Sequence, residues 1–194
     1  MPRPSSREEV VAAAQDRFHR RGYHASGVKD ITDAAGLPKG SFYNYFASKE
    51  DMAIETLRRY GQSRQLHRLG DQAVPPLQRV SEHFEFLRAD VVNFGIGYGC
   101  MFGNFAIETS EHSEALRTFV REALGRWVGA LAGALRDAQA RGELPAGRDV
   151  DLLAAALVRA WQGALLHARV LGDPAPLDEF ETGTLEPLLA KEKA

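Results

Sequence analysis

A chain of 194 residues, 44% hydrophobic and 26% charged, is long enough for one compact domain or two small ones and has the makeup of a globular protein. Its net charge of −2 excludes a uniformly basic nucleic-acid binder. Residues 1–60 hold ten Lys/Arg against eight Asp/Glu and residues 61–194 fourteen against eighteen, so a nucleic-acid site belongs near the N-terminus. The single cysteine, Cys100, excludes an internal disulfide and fits a reducing cytoplasm. Neither a signal-peptide pattern nor an uncharged apolar run of about 20 residues occurs, so a soluble cytoplasmic protein is expected.

The hydrophobic spacing is helical almost throughout, and the expected fold is all-α with about nine helices. Ser5 or Ser6 caps a first helix with Glu8 and Glu9 in its first turn, Val10, Ala14 and Phe18 on one face, and Gly22 as its stop. A short helix from Val28 to Ala35, capped by Ser26 or Gly27, is followed by Gly36 and a second short helix from Pro38 to Tyr45. Two short helices joined by a Gly-containing turn form a helix-turn-helix pattern. Ser48 caps a longer helix expected to reach about Leu69, and Gly70–Pro76 is a boundary. Later helices run from Pro76 to about Asn93, from Cys100 to Thr109, from Ser113 to about Gly142, from Asp149 or Asp151 to about Leu171, and through Leu177–Leu188. The expected domains are residues 1–60 and 61–194.

Residues 37–51 read LPKGSFYNYFASKED. On a helix, Phe42 and Phe46 share one face and can pack on Ile31 and Leu37. Lys39, Ser41, Tyr43 and Asn44 then point away, and Gly40 allows a close backbone approach. Such a helix fits a DNA major groove, although an ordinary helical hairpin has the same periodicity. Tyr45 and Lys49 sit where flanking phosphates would lie, and the helix starts at Val28 and Lys49 add backbone amides.

The run GVKDITDAAGLPKGSFYNYFASKEDM resembles the DNA-binding segment of TetR-family transcriptional repressors, through Ile31, Ala34, Ala35, Gly36, Lys39, Gly40, Tyr43, Tyr45, Phe46, Ser48, Lys49 and Glu50. It departs at Gly27, where a hydroxyl residue is common, and at Tyr45, where histidine is common. The resemblance implies a homodimer on a near-palindromic double-stranded operator. Lys39, Ser41 and Asn44 would read bases, while Tyr43, Tyr45, Lys49, Ser26 and Lys29 would hold phosphates. It also implies a C-terminal ligand-binding and dimerisation domain whose last two long helices build a four-helix contact. The helix DLLAAALVRAWQGALLHARV, apolar nearly all round, suits that role or the centre of a monomer core.

GCMFGNFAIE, Gly99 to Glu108, is similar to a segment of the branch that includes N-ethylmaleimide-responsive and acrylate-responsive repressors, through Gly-Cys, Gly-Asn and Ala-x-Glu. Cys100 at a helix start would then sense electrophiles or oxidants, with His167 or Arg169 adding positive charge; the alternative is a buried structural thiol. A second reading needs no thiol chemistry. Phe84, Phe94, Tyr98, Phe102, Phe105, Trp127 and Trp161 would line an apolar ligand cavity with Asn104, Gln162 and His167 as polar anchors, or simply fill the core. Trp161 and Phe102 are the ligand contacts expected on that reading.

Rival classes leave little trace. The alternating Gly95, Gly97 and Gly99 follow a helix rather than a strand, which rules out a dinucleotide loop. No HExxH, Gly-x-Ser-x-Gly, phosphate loop or zinc-spaced Cys/His set occurs, so neither an enzyme nor a cofactor is expected. A helical protein-interaction module would not need Lys39, Tyr43, Asn44 and Lys49 at one exposed end.

Overall fold

The computed structural model describes residues 6–109 and 111–190, and among these every regular element is helical, with nine α-helices and no strand. Ser5 lies outside the described residues. Backbone contacts gather the chain into two compact units, residues up to 63 with 101–123, and 64–100 with residues from 124 on. This grouping differs from a single cut after residue 60, because 101–123 return to the N-terminal unit.

In the first unit, α1 (Ser6–Arg21) buries Val10, Val11, Ala14 and Phe18. It stops at Gly22, where φ is +85° and an added Cβ would lie 2.4 Å from the Glu108 carboxylate. Gly27, rather than Ser26, caps α2 (Val28–Ala34), and its N–H donates to the Asp30 carboxylate at 2.9 Å. Gly36 takes φ +69° and turns the chain, and the Leu37 N–H donates back to the Thr32 carbonyl.

The segment expected as an α-helix from Pro38 to Tyr45 is a six-residue 3-10 turn, Lys39–Asn44, after Pro38. A piece this short closes as readily through i→i+3 bonds as through i→i+4 bonds. α3 (Lys49–Ser63) is capped by the Ser48 hydroxyl, which accepts the Asp51 N–H at 3.0 Å. α5 (Met101–Thr109) joins this unit by burying Met101, Phe102 and Phe105, with Phe102 over Tyr60 and Phe105 against Phe18.

The second unit begins where α3 was expected to continue. Gln65 adopts φ +53°, a left-handed conformation that ends the helix, and a 3-10 turn follows over Leu66–Gly70. α4 (Pro76–Phe94) ends at Gly95, where φ is +123°. α6 (Glu114–Ala140) is capped by Ser113 and runs from the first unit's residues into the second's. α7 (Val150–Leu171) is capped by the Asp149 carboxylate and closed by Gly172 in the left-handed region. The final helical stretch comprises α8 (Ala175–Phe180), one π turn and α9 (Glu186–Leu189).

The core of this unit joins α4, the later part of α6, α7 and α8. It centres on Phe84, Trp161 and Phe180, whose ring centroids lie 4.9–5.5 Å apart. None of the helices among the described residues is long and apolar enough to cross a membrane.

Candidate functional site

The 3-10 turn of the first unit is held from behind by two rings. Phe42 is fully buried and Phe46 is 6% exposed, with centroids 5.7 Å apart. On the other side Tyr43 is 62% and Tyr45 36% exposed. Lys39, Gly40 and Asn44 are exposed and Ser41 is half-buried. An added Cβ at Gly40 would meet nothing within 4 Å, so the backbone there is open to a close neighbour. A cation, a hydroxyl, a phenol and a carboxamide thus share one short, solvent-facing surface, with donors suited to phosphate oxygens and base edges.

Three of the expected phosphate holders are engaged within the protein. Ser26 is 1% exposed, and its hydroxyl donates to the carbonyls of Gly22 (2.8 Å) and Arg17 (3.2 Å). It satisfies the C-terminal end of α1 instead of facing outward. Lys29 is exposed but paired with Asp33, which raises its pKa. Lys49 is half-buried with its ammonium 4.1 Å from the centre of the Tyr23 ring, and desolvation lowers its pKa.

The residues expected around an effector are divided between the two units. Phe102 and Asn104 lie on α5 in the first unit, whereas Trp161, His167 and Arg169 lie on α7 in the second. The aromatic set divides likewise: Phe102 and Phe105 pack with Tyr60, Phe18 and Tyr23, while Phe84 packs with Trp127, Trp161 and Phe180. Cys100 immediately precedes α5, is partly buried and packs against the core of the second unit. His167 and Arg169 are exposed on α7.

Two polar clusters escaped the sequence. In one, the fully buried face of α4 carries Arg79 and His83 among Val80, Phe84 and Leu87. Arg79 donates to the Leu69 carbonyl and to Asp137, each at 2.8 Å. His83 Nε2 accepts from the Trp127 indole N–H at 2.8 Å, and burial, with Arg64 and Arg68 nearby, lowers its pKa to about 4. Their four-residue spacing inside an apolar stripe was the available signal; their partners 44 and 58 residues away were not. In the other cluster, Glu108 accepts the His24 N–H at 3.0 Å, and its carbonyl lies 3.0 Å from the His24 ring.

Among the described residues no three His, Cys, Asp or Glu side chains are grouped to hold a metal ion. Residues 10–56 match the family model described as bacterial regulatory proteins, tetR family, and residues 76–184 match the tetracyclin repressor-like C-terminal domain. The HTH-type transcriptional repressor DhaR of Mycobacterium sp. (strain GP1) is 36% identical over 97% of this chain and 95% of its own. A crystal structure of regulatory protein TetR from Rhodobacter sphaeroides superposes with a TM-score of 0.84 at 32% identity, covering 93% of this chain and 96% of that one. The reduced form of NemR from E. coli has a TM-score of 0.83 over 98% of this chain and all of that one; at 24% identity it speaks for the fold alone.

Proposed function

The chain belongs to the TetR family of DNA-binding transcriptional regulators, and from that premise we propose that it acts as a repressor, a homodimer that grips a near-palindromic operator and is released by a small effector. The observation that carries the DNA-reading part is the pinned 3-10 turn, with Phe42 and Phe46 buried behind an exposed Tyr43. Lys39, Ser41 and Asn44 read base edges, and Tyr43 and Tyr45 hold flanking phosphates. Lys29 and Lys49 add positive charge nearby. Residues 1–60 form the DNA-binding domain and 61–194 the regulatory and dimerisation domain.

The outer face of α7 supports the dimer. Leu152, Leu166 and Val170 are 64%, 57% and 77% exposed. They fall on one stripe with Ala156 and Gly163, opposite the buried Leu153, Leu157, Trp161 and Leu165. On α6, Gly125, Gly129 and Gly133 recur every fourth residue, and a Cβ added at any of them would meet nothing within 4 Å. A second chain's helices can pack close against such faces, and two-fold pairing is the commonest closed assembly. Two-fold symmetry would present the two recognition turns to successive turns of the duplex.

The effector acts through the second unit. In the first reading, the thiolate of Cys100 adds to the β-carbon of an activated alkene. The π pair moves to the α-carbon, which takes a proton from water, and the adduct disturbs the core on which Cys100 packs. In the second, a reversible apolar ligand displaces packing around Trp161, and Cys100 is inert. Either route must shift the dimer toward a conformer that fits the operator poorly, and a ~100-fold loss of affinity requires only ~2.7 kcal/mol of coupling. Operator release by wild type and by Cys100→Ser, each with an activated alkene and with its saturated analogue, separates the two. The thiol reading predicts that alkene-driven release disappears in the serine variant. Equal release of both proteins by both compounds leaves only the reversible pocket.

A further inference from the structure

We propose that the His83–Trp127 hydrogen bond is an acid-operated latch between α4 and α6: proton uptake by His83 breaks it, loosens the second unit and releases the operator. The release step rests on the operator reading above; the latch itself does not.

The bond exists in one protonation state only. His83 Nε2 accepts the Trp127 indole N–H at 2.8 Å, so the neutral ring carries its proton on Nδ1. Once protonated, both ring nitrogens are donors, and the one facing Trp127 meets another donor. An indole has no acceptor with which to reverse the bond. Both side chains are buried, so losing the bond leaves a buried N–H unpaired unless α4 and α6 part. A proton can still arrive, because His83 borders a cleft together with Arg68, Asp71 and Glu82.

The surroundings resist that proton while the latch is closed. Burial, and then Arg64 and Arg68, lower the His83 pKa to about 4. Arg79, on the same helix, is committed to the Leu69 carbonyl and to Asp137 of α6. The nearby carboxylates have other partners. Glu82 accepts from Gln78 at 2.8 Å and from Arg68 at 3.5 Å, Asp71 accepts the Ala73 N–H at 3.0 Å, and Asp90 pairs with Arg64 at 2.7 Å. From α7 and α8 the uncharged rings of Trp161 and Phe180 pack on the adjacent Phe84.

The other polar tie between α4 and α6 does not share this sensitivity. Gln72 and Arg79 hold the Asp137 carboxyl below the usual carboxylate range, so the Arg79–Asp137 pair stays charged while His83 titrates. Acid therefore opens the seam at its Trp127 end, one helical turn beyond Ala123, the last α6 residue grouped with the unit that carries the recognition turn. In the open form the His83 ring regains its ordinary value of about 6.5. The closed form keeps its full advantage above that pH and loses it as the pH falls toward 4. The ratio of open to closed rises about tenfold by pH 5.5 and about thirtyfold by pH 5.

Nitrogen NMR of the intact protein from about pH 7.5 to about 4.5 follows the His83 ring and the Trp127 indole. Urea unfolding read by tryptophan fluorescence follows the second unit, which holds both tryptophans, and gel shifts follow the operator. His83→Gln keeps an acceptor for the indole and takes up no proton in this range. The expected result is a His83 midpoint well below about 6.5, with Nε2 bare at neutral pH. From pH 7 to pH 5 the unfolding constant should rise about thirtyfold more in wild type than in His83→Gln, and operator affinity should fall more steeply in wild type. A midpoint near the ordinary value, or a proton on Nε2 at neutral pH, overturns the latch even should His83→Gln not fold, as does a parallel loss of stability in the two proteins. Equal pH slopes of operator binding overturn the release step. Failure of both proteins to shift any operator at neutral pH, with the His83 titration as expected, counts against the operator reading and leaves the latch standing.

Discussion

Phe42→Ala is expected to abolish operator binding while leaving the second unit's core intact. Phe42 is fully buried, touches Phe46 at 5.7 Å, and supplies the carbonyl that accepts the N–H groups of both Tyr45 and Phe46. Truncating a buried phenylalanine costs about 3–5 kcal/mol. A six-residue 3-10 turn has few bonds of its own with which to absorb that loss. Both tryptophans, Trp127 and Trp161, belong to the second unit, so their fluorescence serves as an internal control. Tyr43→Phe completes the comparison. Tyr43 is 62% exposed, so losing its hydroxyl should change stability by less than about 0.5 kcal/mol. A lost phenol–phosphate hydrogen bond should still weaken operator binding about tenfold. Gel shifts and thermal melts of the three proteins check this; wild-type affinity in Phe42→Ala would sink it.

The second large effect is expected on α7. Leu166→Glu puts a carboxylate on a side chain that is 57% exposed in the single chain, so each protomer should fold. At a two-fold interface the same change buries a charge twice, often opposite its own symmetry mate, and that cost opposes association. Sedimentation should show monomers at micromolar concentration. Operator affinity should fall by about 100-fold or more, because the second half-site no longer benefits from being tethered to the first. Retained dimers in Leu166→Glu would move the interface away from this face.

Much of this was legible because local rules decide it. Gly22, Gly142 and Gly172 take the left-handed conformation, and Ser48, Ser113 and Asp149 accept the N–H groups that helix starts leave open. Phe42 and Phe46, four apart, marked the buried side of the recognition turn. The α3 end was hidden because Gln65, not glycine, turns left-handed there. The inward turn of Ser26 is not visible in the sequence, since its acceptors, the Arg17 and Gly22 carbonyls, become available only once α1 has formed. The aromatic residues looked like one cavity because hydropathy carries no information on where 101–123 pack. Contacts group Phe102 and Phe105 with the first unit and Trp161 with the second. Arg79 and His83 interrupt an apolar face, but only the fold reveals that Asp137 and Trp127 receive them.

The account turns on side chains of the short 3-10 turn touching base edges. The measurement is the affinity of wild type and Asn44→Ala for the operator and for every single-base variant of it. Loss of discrimination at one symmetry-related pair of positions, worth about 1–3 kcal/mol, is the predicted result. An unchanged base-preference profile in Asn44→Ala, or discrimination lost evenly at all positions, would contradict it.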